Sequence, residues 1–272
     1  MKNRLVLVLF LSLPPMLHAQ EQQFASPYVS TQSYQAGWGG ASILDTYLTP
    51  ERFSGSTITL LTIAERQRKG SSWSTIIQNQ LHISTAKDRA GNESMLEGCY
   101  NLFWGRYYGW KLYDGNLHLQ VGGLANLGLG FLYNMRSNAN NPAQGRFSLS
   151  VMPSAIATWR LPFLRQRLSV RYEFEAPLVG LMFSPNFGQS YYEMFVLGNY
   201  DHNVVPTTFV SSPTFRQQLT VRYRLKPTLT LTLGYLGDYQ QAKVNGLKQH
   251  VRTHSVMLGL VKRLSWVHYA NE

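Results

Sequence analysis

The sequence has little of what marks several large classes of protein. Its one cysteine, Cys99, cannot form an intramolecular disulfide, so a disulfide-stabilised exported scaffold is excluded. No apolar run reaches about eighteen residues, so we do not expect a helical membrane protein. Zinc-finger spacing, an RNP pattern and a basic helix are also missing. The formal net charge of +11 therefore does not predict a nucleic-acid partner.

Signatures of cofactor and metal chemistry are missing as well. The sequence has no Gly-rich phosphate-binding loop and no catalytic-cysteine signature. Its seven histidines lack the spacing of a metal site, and His250 and His254 have no carboxylate beside them in sequence. We therefore expect neither a cofactor nor a metal.

The first nineteen residues have the form of a signal peptide. Lys2 and Arg4 precede an apolar run, Leu5–Leu13, and a small residue precedes the cleavage point. The run is too short to span a membrane, which argues against a helical anchor. We predict a cleaved signal peptide over 1–19 and a single domain over 20–272. Removal of the two basic residues lowers the formal charge from +11 to +9.

The main pattern in the sequence is the alternation of apolar residues with small or polar ones. Residues Leu117–Tyr133 place apolar side chains at every second position, with mostly small or polar ones between them. Side chains on a strand point alternately to opposite sides, so this segment has one apolar and one polar face. It is longer than a typical soluble strand and long enough for a tilted strand that crosses a bilayer.

The same two-face pattern recurs along the chain. Four further segments show it clearly: Phe147–Arg160, Leu168–Ala176, Phe215–Leu225 and Leu229–Tyr235. Five weaker segments complete a set of ten: Val29–Gly40, Thr57–Arg68, Trp73–Thr85, Met95–Leu112 and Thr253–Trp266. Arg106 falls on the apolar face of its segment. Either a bulge shifts the register there, or the long side chain extends along the surface.

The connections alternate in length. The short ones are 67–72, 113–116, 161–167 and 226–227, and the long ones are 41–54, 86–94, 135–145, 181–213 and 240–250. Outer-membrane barrels join their strands by short periplasmic turns and long outer loops. The sequence therefore predicts an all-β fold, a transmembrane antiparallel up-and-down β-barrel of about ten strands, with Tyr191–Tyr200 in the fourth outer loop. Twelve strands are the alternative count.

A soluble β-sandwich is the competing architecture, but it predicts shorter strands with one face in water. Here charged residues occupy the polar face in the middle of long strands. In a narrow barrel they would form an internal charge network that fills the lumen. We assign to this lumen network Arg171, Glu173, Glu175, Arg222, Arg224 and Glu97. His82 is expected to pair with Glu97 across neighbouring strands.

Three segments carry a family resemblance: Leu44–Pro50, Asn140–Ala143 and Phe183–Phe195. Together they resemble an uncharacterised family of exported proteins from Bacteroidetes-type Gram-negative bacteria, catalogued as a domain of unknown function. The resemblance spans most of the mature chain, and the third segment is its most specific part. It implies an exported outer-membrane β-barrel and no particular activity. All three segments fall in predicted outer loops.

The fourth outer loop holds the candidate functional residues. Ser190, Glu193 and His202 are the types used by serine lipid hydrolases, in which the histidine must lie within hydrogen-bond reach of the serine. The competing interpretation is a structured cap over the barrel mouth. We assign to a ligand-binding or loop-capping set Asp45, Tyr47, Tyr191, Tyr192, Phe195, Tyr200 and Asp201, with the first two reaching the fourth loop from the first.

These observations predict a protein of the outer membrane of a Gram-negative bacterium. Its expected role is structural, or the binding of a ligand by its loops at the cell surface. A lipid A or phospholipid hydrolase and a small selective channel are the alternatives. Outer-membrane lipid and lipopolysaccharide are the expected neighbours. The sequence gives no oligomeric state.

Overall fold

A computed structural model of the chain describes residues 24–25, 28–135, 142–163, 166–264 and 267–268. The predicted signal peptide lies outside them. The elements are β1 (Phe24–Ala25), β2 (Tyr28–Asp45), β3 (Thr49–Arg68), β4 (Trp73–Lys87), β5 (Ser94–Leu112), β6 (Leu117–Asn134), β7 (Ala143–Arg160), β8 (Leu168–Glu175), β9 (Val179–Phe183), α1 (Tyr191–Phe195), β10 (Val204–Thr208), β11 (Phe215–Lys226), β12 (Leu229–Val244), β13 (Leu247–Leu264) and β14 (Val267–His268).

Ten of these strands form a closed antiparallel ring in the order β2-β3-β4-β5-β6-β7-β8-β11-β12-β13, with β13 paired back to β2. A path of directly paired residues that leaves β6 at Phe131 returns to β6 at Leu119, twelve residues away. With a rise of about 3.4 Å and a strand spacing of about 4.8 Å, this stagger corresponds to a tilt of about 40°. The predicted ten-stranded barrel is confirmed.

The outer wall of the ring is apolar. Every ring strand exposes at least one large apolar side chain, represented by Trp38, Ile58, Leu81, Trp104, Leu129, Leu149, Tyr172, Leu219, Leu233 and Leu258. Every ring strand also buries a polar side chain in the lumen, represented by Gln35, Thr59, Gln80, Asn101, Asn126, Ser154, Arg171, Gln218, Thr232 and Ser255. A water-soluble protein has the opposite distribution, so the wall suits a lipid environment.

Within the described residues, no helix is long and apolar enough to cross a membrane.

The lumen is filled by side chains along its length. On β4 the inward residues run from Ile76 through Gln78, Gln80 and His82 to Ala86, and all are buried. Ile76 belongs to one apolar cluster inside the ring, and Ala86 belongs to a second. The polar layer between them carries the buried charges. The interior of the described barrel is therefore filled with packed side chains.

Several strands are longer than predicted. The connections expected at 41–54 and 240–250 are mostly strand, and they narrow to tight turns after Asp45 and Val244. The physical reason is burial inside the barrel. Ile43 and Phe53 point inward and are fully buried in the second apolar cluster, which rewards continued strand pairing.

Arg106 follows the second of its two predicted alternatives, a side chain that extends along the surface. Residue pairing is continuous through β5 on both sides, so no bulge shifts the register there. The side chain points outward, and its guanidinium lies 5.5 Å from the centre of the Trp73 ring. A cation over an aromatic face at the end of the apolar wall is typical of a residue at a membrane interface.

The connection predicted over 181–213 is more structured than expected. Strand β7 pairs with β8 up to Ser154 and then with β9 over Ser148–Val151. Strand β10 pairs with β9. The segment Tyr191–Tyr200, predicted in the fourth outer loop, contains the short helix α1 and no strand. Strands β9 and β10 form a hairpin that extends one end of the ring along β7. We call this the capped end and the opposite one the uncapped end.

Candidate functional site

The segment 184–203, which we call the cap, joins β9 to β10. Its helix α1 begins at Ser190, whose hydroxyl accepts a hydrogen bond from the backbone N–H of Glu193 at 3.2 Å. The Glu193 carboxylate in turn accepts from the Ser190 N–H at 2.7 Å. This reciprocal capping box satisfies backbone groups that a short helix leaves unpaired. The two hydrogen bonds from Ser190 lower the pKa of Glu193.

Contacts from three other connections hold the cap over the barrel mouth. The Tyr47 hydroxyl, between β2 and β3, donates to the Gln189 carbonyl at 2.9 Å. The Tyr191 hydroxyl accepts from the backbone N–H of Gly145, at the start of β7, at 2.7 Å. The two tyrosine rings meet edge to face, with their centroids 6.0 Å apart. The structure thus brings the predicted first-loop and fourth-loop residues together.

The turn between β12 and β13 supplies the third contact. The Asn245 side chain donates to the carbonyls of Ser184, at 3.0 Å, and His202, at 2.9 Å. Inside the cap, the Gln189 side-chain oxygen accepts from the Asn203 amide at 2.7 Å. Ser184 and Asn203 are buried. The cap is therefore an ordered lid whose two ends are tied to one another.

Asp45 supports this arrangement from below. Its carboxylate is buried and accepts from the Tyr47 N–H at 2.9 Å, which shapes the turn that presents Tyr47. The Gln144 side chain, at the start of β7, lies against the same carboxylate. Burial, together with the neighbouring Tyr191, Asp45 and Glu193, raises the pKa of Tyr47 to about 12. Tyr47 therefore remains a neutral hydrogen-bond donor at physiological pH.

The opposite surface of the cap is apolar and exposed. Tyr192, Phe195 and Tyr200 have exposed fractions of 61%, 71% and 71%. Phe187, Val196 and Leu197 are exposed beside them. Phe195 also stacks on Tyr191 and Phe183, so its position is fixed by the interior of the cap. We call these six exposed residues the cap surface. A concentration of exposed apolar side chains on an ordered segment is a feature of contact sites.

The proposed hydrolase residues do not form a catalytic arrangement. The Ser190 hydroxyl lies 3.1 Å from the Glu193 carboxylate and is committed to the capping box. His202 is exposed, and no hydrogen bond of its imidazole is found within the described residues. Its backbone adopts a φ of 60° in the turn that Asn245 holds. Asp201 is exposed, and its carbonyl accepts from Asn186 at 3.1 Å. A serine hydrolase of the predicted kind needs its histidine within hydrogen-bond reach of the serine, and no histidine is hydrogen-bonded to Ser190 among the described residues.

The lumen network is centred on a residue that was not assigned to it. Arg216 is buried and forms an ion pair with Glu175 at 2.8 Å. It also donates to Gln80 at 2.7 Å and to Gln78 at 3.0 Å. Gln78 donates in turn to Glu173, which pairs with Arg171 at 3.1 Å. A buried charge is costly unless it is paired and hydrogen-bonded, and this network provides both.

Two predicted members take less part in this centre. Arg224 is exposed near the end of β11, and Arg222 is half-buried, with the charges of Arg171, Glu65 and Glu173 acting on it. Neither forms an ion pair in the part of the chain that the structure describes. Three residues that complete the network were not assigned: Glu65 pairs with Arg171 at 3.4 Å, Asp238 accepts from Gln80 at 2.7 Å, and Arg146 lies 3.9 Å from Glu97. Glu65 and Asp238 stand on inward positions, so the alternation itself was a usable signal.

A second buried group lies nearer the capped end. His82 Nε2 and Glu97 Oε1 are 3.0 Å apart, as a cross-strand pair. With Cys99 they place three potential metal-ligand atoms within 4.8 Å of one another. The Arg146 guanidinium already faces Glu97, so a divalent cation would compete with a resident positive charge. Cys99 and Arg146 also line a small cavity below the β9–β10 hairpin.

Comparison with known proteins identifies a family. A model of the family described as "Protein of unknown function (DUF3316)" matches residues 5–271. No curated protein matches the sequence.

Solved structures with similar folds share little sequence with the chain. The Neisserial surface protein NspA is 12% identical, with a TM-score of 0.38 over 89% of this chain and 100% of that one. The outer-membrane protease OmpT from Escherichia coli is 8% identical, with a TM-score of 0.45 over 90% and 99%. The attachment protein Ail of Yersinia pestis, solved with the heparin analogue sucrose octasulfate, is 11% identical, with a TM-score of 0.29 over 86% and 99%.

Proposed function

The chain belongs to the DUF3316 family of proteins of unknown function, and we propose that it is an outer-membrane barrel of a Gram-negative cell that binds a protein partner through its cap. In this proposal residues 1–19 are a cleaved signal peptide, and 20–272 form the mature barrel. The capped end, which carries the longest described connection, 184–203, faces the cell exterior.

One observation carries the binding role. The cap is held by hydrogen bonds from three separate connections, yet it leaves Tyr192, Tyr200 and the other residues of the cap surface exposed. Holding aromatic side chains in a fixed position before binding reduces the entropy lost in a complex. Tyrosine and other aromatic residues are enriched at protein interfaces, where they supply large contact areas.

The enzyme and channel alternatives receive less support. The Ser190 hydroxyl caps α1 and bonds to Glu193, and no histidine is hydrogen-bonded to it in the described structure. The lumen holds two apolar clusters with a hydrogen-bonded charged layer between them, which leaves little room for a diffusion path. A binding role agrees with a rigid scaffold whose loops carry function.

The test is site-specific photo-crosslinking in intact cells that express the full chain. A photoreactive phenylalanine analogue replaces Tyr192, Leu197 or Tyr200 in separate strains, and the control position is Tyr113 in the turn at the uncapped end, which is 78% exposed. We expect a discrete protein adduct at the cap positions and none of the same mass at Tyr113. Lipopolysaccharide adducts alone, or no adduct, would contradict a protein-binding cap.

The same strains test the location independently. The chain should fractionate with the outer membrane, and its gel mobility should change on boiling, because closed barrels resist unfolding in detergent. A soluble periplasmic protein whose mobility ignores boiling would refute the proposed location. A second variant, in which a short Gly/Ser linker replaces 187–203, should keep the heat-modifiable barrel and lose the adduct-forming surface. That linker can close the hairpin because Phe183 and Val204 are already paired.

A further inference from the structure

The outer wall changes chemistry sharply near the capped end. Along β13 the outward side chains begin with Lys248, His250, Arg252 and His254, continue with Val256, Leu258 and Leu260, and end with Lys262. The residues between them point into the lumen and are buried, among them Leu247, Gln249, Val251 and Thr253. The strand therefore presents a basic segment, an apolar segment and a final basic residue to its surroundings.

The spacing of these segments matches a membrane. Arg252 and Lys262 are ten residues apart, which gives about 26 Å along the barrel axis at a rise of about 3.4 Å and a tilt of about 40°. The apolar band of outer-membrane barrels is about 25 Å tall. Arg252 thus lies at the level where lipid head groups begin on the capped side.

An aromatic band marks the same level on the neighbouring strands. Tyr239 on β12 is paired directly with Arg252. Its ring stacks on Phe215, at 4.3 Å between centroids, and meets His254 edge to face at 5.0 Å. Phe215 stacks in turn on Phe174. Outward aromatic residues collect at the interface between lipid and water, which supports the placement of Arg252.

Several basic side chains gather just beyond this band. Arg52 on β3 and His250 on β13 are both paired with Leu44 on the strand between them, so they lie two strand spacings apart, about 10 Å. The positive charges of Arg252, Arg52 and Lys248 all act on His250. Lys243 on β12 is paired with Lys248. We call Arg52, Lys243, Lys248, His250 and Arg252 the rim cluster.

Within the described residues, the rim cluster has no acidic partner. None of its members forms an ion pair with an acidic residue in the described ranges, and Glu51, adjacent to Arg52 in sequence, forms none with it either. Arg252 donates to Gln241 at 2.5 Å, which fixes the guanidinium, while its Nε is buried and no partner for it is found among the described residues. Like charges held together without acids repel one another, so an anionic ligand is favoured here.

We propose that the rim cluster binds the phosphate groups of a phosphorylated glycolipid of the lipid A class in the leaflet around the capped end. Arginine forks match phosphate oxygens, and the exposed lysines add charge attraction. The acyl chains of such a lipid would lie on the apolar wall below, against Trp38, Val256 and Leu258, which are exposed. This inference rests on the proposed membrane location and is independent of the protein-binding role of the cap.

The experiment compares two triple variants of the full chain in lipid nanodiscs, with bound lipid counted by native mass spectrometry. The test variant is Arg52→Gln, Lys248→Gln and Arg252→Gln. The control variant is Arg66→Gln, Arg106→Gln and Lys262→Gln, which removes three exposed charges from the wall at the uncapped end. The probe is bisphosphorylated lipid A, and dephosphorylated lipid A is the matched ligand control.

We expect the test variant to bind bisphosphorylated lipid A at least about tenfold more weakly than the unchanged protein, since it lacks three of the basic residues that attract the phosphate groups. The control variant should stay within about twofold. Both variants should remain heat-modifiable, which separates this result from a failure of the barrel to insert. Equal losses in the two variants, equal binding of dephosphorylated lipid A, or displacement by inorganic phosphate alone would each overturn the proposal.

Discussion

The lumen and the cap are both dense hydrogen-bond networks, but they are built from different groups. The lumen uses full charges, with Arg216, Arg171 and Glu175 almost completely buried. The cap uses backbone carbonyls with neutral hydroxyl and amide side chains such as Tyr47 and Asn245. A buried ion that loses its partner cannot be hydrated, whereas a cap group that loses its partner can bind water. The stability of the barrel should therefore depend on the lumen, and the order of the cap on its neutral bonds.

The largest effect should come from Arg216. Arg216→Met leaves Glu175 buried without its cation and should cost about 3–5 kcal/mol of unfolding free energy. The measurement is the urea midpoint of the barrel in lipid vesicles. Arg224→Met, at an exposed position of the same strand, is the control and should change stability by less than about 0.5 kcal/mol. The double variant Arg216→Met with Glu175→Met should recover most of the loss. Similar losses of unfolding free energy at Arg216 and Arg224 would refute the claim that the stability of the barrel depends on the buried charges of the lumen.

The outer wall provides the second comparison, on the same strands but facing the other way. Leu233 is 52% exposed on β12, roughly midway between the turn at 227–228 and the aromatic Tyr239. Leu233→Arg should cost about 2–4 kcal/mol, because the charge must enter the centre of the bilayer. Val210→Arg, in the exposed segment before β11, should cost less than about 0.5 kcal/mol. The readout is again unfolding in vesicles, and a negligible cost at Leu233 would place this wall in water.

The smallest effect is expected in the cap. Tyr47→Phe removes the hydrogen bond to the Gln189 carbonyl, worth about 1 kcal/mol, and should raise the rate of proteolytic cleavage within 184–203 about fivefold. The urea midpoint of the barrel should not change. Tyr192→Phe is the matched control, because that ring is exposed in the same segment. If Tyr47→Phe lowered the barrel midpoint as well, the cap and the lumen would form one cooperative unit.

Sequence alternation predicted all ten ring strands, but it made some of them too short near the capped end. It detects a strand by the contrast between an apolar and a polar face. Near the capped end the inward residues Ile43 and Phe53 are apolar, so the contrast disappears there and the ends of β2 and β3 were assigned to a loop. The hairpin β9–β10 was missed because each of its strands has only five residues, too few to show a clear alternation.

The site was partly predictable for a similar reason. The cap tyrosines stood out because aromatic residues were concentrated in one long connection. Arg216 stood on the polar face of its segment, but its partners Gln78 and Gln80 are 138 and 136 residues away in sequence. Only the stagger of the ring decides which inward side chains share one level of the lumen. No local pattern encodes that stagger.

The sequence alone therefore determined which side of each ring strand meets lipid and which meets the lumen, because that choice depends on side-chain polarity and a two-residue period. The tertiary structure decided which side chains come into contact with one another. Closure with a stagger of twelve residues brings Arg216 to Gln80, Tyr47 to Gln189, and Arg52 to the same rim as Arg252. These encounters follow from the geometry of a closed ring, which no single strand contains.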